Sequence, residues 1–140
     1  MTQLTFDEEY RYKDDEEGIP ISVTLTYGDQ TVRTDAKVDP GAIVCLFTHE
    51  VGVALGIPIE EGIPIEEGIP ITLGGLIGTL EAFGHEVTLQ TGHLVFQSIV
   101  YFAKYPGIPR NLLGRRGWLR NLRLGLIDYD NLLYLSDYDS

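Results

Sequence analysis

Residues 37–47 read KVDPGAIVCLF, and the fold inferred for the whole chain depends on how this stretch is interpreted. Asp39 is followed by Pro40, Gly41 and Ala42, with strand-like residues on both sides. Two interpretations are open. Asp-Pro-Gly is a favourable turn sequence, because proline presets φ and glycine accepts a positive φ. Alternatively, Asp39 is a functional carboxylate at the end of a strand.

Alternating residues before this stretch predict two strands. Residues 21–27, ISVTLTY, alternate between apolar and polar, and Gly28 to Gln30 supply a turn. Residues 32–38 alternate in the same way and run directly into Asp39. After the turn, residues 43–47 form a short apolar run that predicts a buried strand.

Short strands are predicted for most of the remaining chain. Thr48 begins a predicted short helix as its N-cap, Glu50 suits its first turn, and Gly56 suits its C-terminal end. A second short helix, amphipathic, is predicted for RRGWLRNL, residues 115–122. Further strands are predicted over residues 71–73, 79–83, 85–91, 94–103, 122–126 and 132–135. This pattern indicates a mostly-β barrel or sandwich with one or two short helices.

A hexapeptide repeat interrupts this pattern. GIPIEE, GIPIEE and GIPI follow one another over residues 56–71, and EEGIPI occurs earlier, over residues 16–21. One interpretation is a binding loop or a proline-rich ligand. The other, which we favour, is a duplicated insertion on the surface, because lengthening a loop costs little free energy.

Length and charge exclude several classes of protein. The 140 residues suit one domain, and the net charge of −11 argues against nucleic acid or an anionic membrane as a partner. Acidic residues are concentrated in residues 1–18, which we expect to form a mobile arm. There is no apolar run that would span a bilayer and no signal peptide, so a cytoplasmic protein is expected.

Other reactive residues favour structural roles. Cys45 lies in an apolar run, so a buried inert thiol is expected rather than a nucleophile paired with His49. The three histidines do not have a recognisable metal-ligand spacing, and we expect no metal. The glycine-rich segment at residues 74–78 is not followed by Gly-Lys-Ser/Thr, which excludes a phosphate-binding loop. Trp118 is expected to anchor the core or an interface, and the arginines of residues 115–123 to form a solvated face or to pair with acidic segments.

Two stretches together resemble the retropepsin-like (retroviral-type) aspartic proteases, especially the small bacterial and cyanobacterial members. The first is VDPGAIVCLF, residues 38–47, where the family has Asp, Thr or Ser, Gly and Ala at the end of a strand. The second is NLLGRRGWL, residues 111–119, where the family has two apolar residues, Gly, Arg and a short helix. The glycine-rich bend at residues 74–78 lies between them, at the position of the family's flap. The resemblance covers about residues 21–135.

The resemblance implies a single retropepsin-like acid-protease barrel over residues 19–140, with the repeat at 56–71 as an insertion. It implies an aspartic endopeptidase that needs no cofactor and cleaves peptide or protein substrates as a homodimer, with Asp39 contributed by each subunit. The residues given further roles are Pro40, Gly41 and Ala42 in the catalytic loop, Gly74, Gly75 and Gly78 in the flap, Leu112, Leu113 and Gly114 beneath the loop, and Arg115 as a structural cation.

Pro40 departs from the family pattern. The family's Thr or Ser hydroxyl at this position forms a hydrogen bond across the dimer axis, and proline has neither a hydroxyl nor an N–H. The departure leaves the carboxylate of Asp39 in place. It favours an alternative interpretation, a catalytically decayed module that keeps the fold for dimerisation or peptide binding.

Overall fold

The computed structural model describes residues 1–15, 17–65, 69–73 and 76–139. In these ranges the chain forms twelve strands, one short α-helix and three 3₁₀ turns. The strands are β1 (Glu8–Arg11), β2 (Ile19–Tyr27), β3 (Gln30–Val38), β4 (Leu46–Phe47), β5 (Ile63–Pro64), β6 (Ile69–Leu73), β7 (Leu76–Leu80), β8 (Ala82–Thr91), β9 (Leu94–Ala103), β10 (Leu112–Leu113), β11 (Leu122–Ile127) and β12 (Leu132–Asp137). Helix α1 spans His49–Ala54, and the 3₁₀ turns span Ile59–Glu61, Leu119–Asn121 and Asp128–Asp130.

Six of the strands close into a barrel. Their order is β2-β3-β10-β4-β9-β8, and the antiparallel pairing of β8 with β2 completes the ring. Strand β5 pairs with the beginning of β8, β6 and β7 form a hairpin, and β1, β12 and β11 form a three-stranded sheet. The mostly-β barrel predicted from the alternating sequence is therefore confirmed.

Alternation along the strands determines which side chains fill the barrel. On β2, Ile21, Val23 and Leu25 each expose at most 2% of their surface, whereas Ser22 and Thr24 between them are partly exposed. Burial of one such aliphatic side chain contributes about 1.5–3 kcal/mol. Strand β3, whose last residue directly precedes Asp39, pairs with β2 along its whole length, so the core fixes its position.

Helix α1 begins and ends where the sequence predicts. The Thr48 hydroxyl accepts a hydrogen bond from the Val51 N–H, and Glu50 lies in the first turn. Gly56 has a φ of +72°, and its N–H donates to the Val53 carbonyl oxygen. The N–H of the following residue, Ile57, donates to the Gly52 carbonyl oxygen. This Schellman pattern explains the glycine at the C-terminal end. Among the described helices, none has the length and apolar character needed to cross a membrane.

The prediction of a helix over residues 115–122 is wrong. This segment contains one 3₁₀ turn, Leu119–Asn121, preceded by an isolated parallel bridge between Val44 and Arg116. Gly117 has a φ of +97°, outside the range of a right-handed helix. The apolar spacing that suggests a helix instead allows Trp118 to enter the core, where it is fully buried.

The predicted strand at residues 43–47 is also shorter than expected. Only Leu46 and Phe47 lie in β4, while Ile43 is 50% exposed in the preceding loop. The Ile43 carbonyl oxygen accepts a hydrogen bond from the Arg116 N–H, in the segment after β10, instead of extending the β4 ladder. The loop that carries Asp39 is therefore longer than the sequence suggests.

The N-terminal residues differ in part from the mobile arm expected for residues 1–18. Strand β1 pairs antiparallel with β12, with Glu8 opposite Leu135. Tyr12 is 6% exposed and packs in the core. The Asp15 carboxylate forms an ion pair with the ammonium group of Lys37, close to the Asp39 loop. Strand pairing and burial thus hold part of this acidic segment against the barrel.

The hexapeptide repeat does not lie uniformly on the surface. In its first copy, Ile57 and Ile59 are each 7% exposed and join the core, which corrects the expectation of a surface insertion there. In its second copy, Ile63 is 54% exposed on β5. The same hexapeptide therefore has two environments, because the first copy packs directly after α1 and the second pairs with β8.

Candidate active site

Asp39 follows the last residue of β3, at the start of a tight turn. The Ala42 N–H donates to the Asp39 carbonyl oxygen at 3.1 Å, which closes the turn with Pro40 and Gly41 at its centre. The carboxylate oxygen Oδ1 accepts a hydrogen bond from the Gly41 N–H at 2.9 Å. The φ of Gly41 is not positive, so the backbone conformation does not require glycine here. Glycine instead lets the main chain lie close to the carboxylate, because a Cβ at this position would be 3.1 Å from Asp39 Oδ1. The turn and the oriented carboxylate therefore coexist.

Strand β10 forms the floor of this loop. It lies between β3 and β4, parallel to the first and antiparallel to the second. The Asp39 N–H donates to the Leu113 carbonyl oxygen at 2.9 Å, and the Leu113 side chain is fully buried. Leu112 is partly buried against a second, smaller apolar cluster. The two motifs singled out in the sequence are thus in direct contact.

The residues after β10 hold the other side of the loop. The Arg115 N–H donates to the Ala42 carbonyl oxygen, and the Arg116 N–H to that of Ile43, each at 2.9 Å. Gly114 lies where these two backbone segments meet, and a side chain there would collide with the backbone of Val44. The Arg115 side chain is exposed and, in the part of the chain that the structure describes, has no carboxylate partner.

Cys45 is a structural residue beneath the same loop. Its side chain is fully buried, its sulfur accepts from the Gly114 N–H at 3.4 Å, and its thiol donates to the Arg116 carbonyl oxygen at 3.6 Å. Burial raises the pKa of the Cys45 thiol to about 12. A neutral, inaccessible thiol is a poor nucleophile, in agreement with the inert role expected from the sequence.

Asn111 supports the site in a way that sequence reasoning missed. It is 7% exposed, its amide nitrogen donates to Thr34 Oγ1 at 3.3 Å and to the Asp35 carbonyl at 2.9 Å, and its Oδ1 accepts from the Thr48 N–H at 2.9 Å. The backbone carbonyl oxygen of Asn111 also accepts a hydrogen bond from the Lys37 N–H at 2.9 Å. The only signal in the sequence is a polar residue directly before two apolar ones.

Trp118 fixes the segment after Gly114 to the β8–β9 hairpin. Its indole N–H donates to Thr91 Oγ1 at 3.0 Å, and both side chains are fully buried. The carbonyl oxygen of the preceding residue, Gly117, accepts a hydrogen bond from the Ser98 hydroxyl on β9 at 2.6 Å. The expectation that Trp118 anchors the core is confirmed.

The histidines contact backbone groups rather than one another. The ring of His49 bonds to the Ala103 carbonyl at 3.3 Å, and that of His85 to the Ile59 carbonyl at 2.8 Å. In the described ranges, no three His, Cys, Asp or Glu side chains come together as metal ligands would.

The segment for which the sequence predicts a flap includes part of the antiparallel pair β6–β7. Gly78 lies on β7 opposite Ile71, and a Cβ there would have no atom within 4 Å. Gly74 and Gly75, the other two glycines predicted for the flap, lie outside the described residues. The strand predicted over residues 71–73 lies within β6, whereas the strand predicted over 79–83 is divided at Glu81 between the end of β7 and the start of β8.

Two of the surface cavities are lined by residues that the structure describes. One of about 370 Å³ adjoins the Asp39 loop and is lined by Val44, Arg116 and residues of β9. A larger one of about 570 Å³ lies between the end of α1, the 3₁₀ turn at Ile59–Glu61 and the segment after β9, and contains no residue of the Asp39 loop. The smaller cavity is therefore the one that bears on the candidate site.

Comparison with solved structures identifies the architecture. The crystal structure of a retropepsin-like aspartic protease from Rickettsia conorii is similar over 97% of this chain and 99% of its own, with a TM-score of 0.60 and 17% identity. The EIAV protease complexed with the inhibitor HBY-793 is similar over 80% of this chain and 88% of its own, with a TM-score of 0.47 and 21% identity. No family model matches the sequence, and no curated protein does. The barrel, with β10 inserted beneath the Asp39 loop, has the fold of the retropepsin-like aspartic proteases.

Proposed function

We propose that the protein is an aspartic endopeptidase that hydrolyses peptide bonds as a homodimer. The observation that carries the proposal is the placement of Asp39, within a retropepsin-like fold, on a turn whose backbone N–H groups hold its carboxylate and its main chain. The supporting residues are those that the sequence motifs singled out, namely Gly41 and Ala42 in the turn and Leu113 and Gly114 beneath it.

The chemistry requires a second carboxylate, which we assign to Asp39 of a partner copy. Two adjacent carboxyl groups share one proton, because two like charges so close cannot both ionise. The ionised carboxylate takes a proton from water, whose oxygen attacks the peptide carbonyl carbon. The protonated group donates to the carbonyl oxygen. As the tetrahedral intermediate collapses, the carboxyl group that took a proton from water passes it to the amine nitrogen, and the C–N bond breaks. One hydroxyl of the intermediate returns its proton to the other carboxylate, which restores the pair without a metal or an organic cofactor.

Symmetry explains how one carboxylate per chain suffices. Asp39 is the one aspartate of these 140 residues followed by x-Gly-Ala, so a second such carboxylate is assigned to another copy of the chain. A two-fold axis through the site would bring the two Asp39 loops together.

The test compares the wild-type protein with Asp39→Asn, which keeps the side-chain shape and removes the ionisable group. Both are incubated with a mixed peptide library from about pH 4 to 7, bracketing a shared-proton carboxylate pair, at a concentration where light scattering shows a dimer. We expect cleavage by the wild type and none by Asp39→Asn. Equal cleavage by both proteins would refute the assignment of Asp39.

Pro40 favours a second candidate function, a peptide-binding or dimerisation module without turnover. The residue is exposed and directly follows Asp39, where it offers neither hydroxyl nor N–H to a facing loop. The variant Pro40→Thr distinguishes the two functions. Cleavage that appears only in Pro40→Thr would identify a decayed enzyme, whereas equal cleavage by the wild type supports the endopeptidase.

A further inference from the structure

The cavity beside the Asp39 loop has one charged residue among the described residues that line it, Arg116. We propose that this cavity, called here the Arg116 cavity and lined also by Val44, Gln97, Tyr101 and Asn121, binds an acidic side chain of the peptide. The inference rests on the proposed function, since it concerns the substrate preference of the same site.

The Arg116 cavity is rigidly connected to the Asp39 loop. Val44 comes five residues after Asp39 and forms a parallel bridge with Arg116. The Arg116 N–H donates to the Ile43 carbonyl and its carbonyl accepts from the Cys45 thiol, so its backbone is fixed on both sides. Five residues span at most about 18 Å. About five residues of an extended peptide with its scissile bond at Asp39 are therefore long enough to span the distance to the cavity.

The charge of the cavity selects an anion. No aspartate or glutamate occurs among the described residues that line it, and Arg116 is exposed and forms no ion pair in those parts of the chain. Gln97, Tyr101 and Asn121 add hydrogen-bond donors. The positive charge of Arg116 in the cavity is opposite in sign to the net charge of the chain, which is −11.

A peptide carboxylate suits the cavity better than a polyanion. A guanidinium group presents a planar pair of N–H donors that matches the two oxygens of a carboxylate. A nucleic acid would experience repulsion from the acidic remainder of the protein. The volume of about 370 Å³ is sufficient for a side chain and lies within the range of small-ligand pockets.

The test uses pairs of peptides that differ only in glutamate or glutamine, placed in turn at each position within about five residues of the scissile bond. Both termini are capped, which removes the terminal carboxylate. Because Arg116 is exposed, we expect a modest preference for glutamate in kcat/KM, about two- to fivefold at one position, that weakens with added salt. Arg116→Gln should abolish this preference, and Arg116→Lys should keep part of it.

Arg120→Gln is the matched control, since Arg120 is an exposed arginine of the same segment that does not line the cavity. It should keep the wild-type preference. Equal kcat/KM of the wild type for the glutamate and glutamine peptides at every position would overturn the inference. A preference for glutamate that persists in Arg116→Gln would overturn it as well.

Binding to Asp39→Asn separates this inference from the proposed function. The same peptides are titrated into that variant, with and without Arg116→Gln, and followed by calorimetry. Tighter binding of the glutamate peptides that is lost in Arg116→Gln supports the Arg116 cavity even if the wild type cleaves nothing. Cleavage without any glutamate preference supports the endopeptidase and refutes the cavity's role.

Discussion

Gly114 lies so close to Val44 that a Cβ atom on Gly114 would stand 2.2 Å from the Val44 carbonyl oxygen. The Ala42 carbonyl oxygen would lie 2.7 Å from the same Cβ. Backbone carbonyls cannot rotate away as the end of a long side chain can. Glycine at this position is therefore required by space, and the loop that carries Asp39 is seated directly on it.

Gly114→Ala is expected to lower the free energy of unfolding by about 1–3 kcal/mol, because the added methyl group forces the two backbone segments apart. It should also reduce cleavage, since the same shift moves Asp39. Urea denaturation measures the first effect. Gly78→Ala is the matched control for stability, because its Cβ would meet nothing within 4 Å. An equal loss of stability in both variants would contradict the steric explanation.

Asn111→Ala is expected to lower the free energy of unfolding by about 2–4 kcal/mol. The change removes three side-chain hydrogen bonds and leaves the Thr48 N–H and the Asp35 carbonyl without their partner. Thermal or urea denaturation measures the loss. Asn121→Ala, at an exposed asparagine of the same region, is the control and should change stability by less than about 0.5 kcal/mol. A similarly small effect for Asn111→Ala would contradict a supporting role.

Local patterns predict much of this fold. The strands before Asp39, the helix that Thr48 caps and the turn at Pro40-Gly41 each follow from residues near in sequence, whose alternation or capping chemistry is sufficient. The candidate carboxylate was also predictable, because its motif and the Leu112-Leu113-Gly114 motif occur in a recognisable order.

Long-range contacts determine what local patterns do not predict. The side-chain partners of Asn111 lie 63 to 77 residues away along the chain. Gly117 has a φ of +97° and lies so close to β9 that a Cβ would be 2.9 Å from the Ile99 carbonyl oxygen, and neither feature follows from the local helical spacing. Apolar residues at a helical spacing are equally compatible with an irregular segment that buries one tryptophan.

The repeat provides a matched pair of positions in identical sequence. Ile57→Ala is expected to lower the free energy of unfolding by about 2–4 kcal/mol, because Ile57 is 7% exposed and its removal leaves a cavity. Ile63→Ala, in the same hexapeptide but 54% exposed, should cost less than about 1 kcal/mol. Chemical denaturation of the two variants side by side measures both values. Equal losses would show that the two copies do not differ in burial as described.

Tyr12 is expected to make stability depend on pH in the alkaline range. Its hydroxyl donates to Asp128 Oδ1, and burial, followed by that hydrogen bond and the negative charge of Asp128, raises its pKa from 10.0 to about 12. Between these values the unfolded chain loses the proton while the folded chain keeps it. The free energy of unfolding therefore falls as pH rises from about 10 to 12, and below that window the contribution is fully present.

Tyr12→Phe tests this dependence because it removes the titrating group from a site that stays apolar. Urea denaturation at several pH values should show a less stable protein near neutral pH, with a shallower decline above pH 10 than the wild type. Tyr129→Phe removes a hydroxyl from a side chain that is 96% exposed and should follow the wild-type curve. An unchanged alkaline decline in Tyr12→Phe would mean that other groups cause it and would contradict the raised pKa of Tyr12 as its origin.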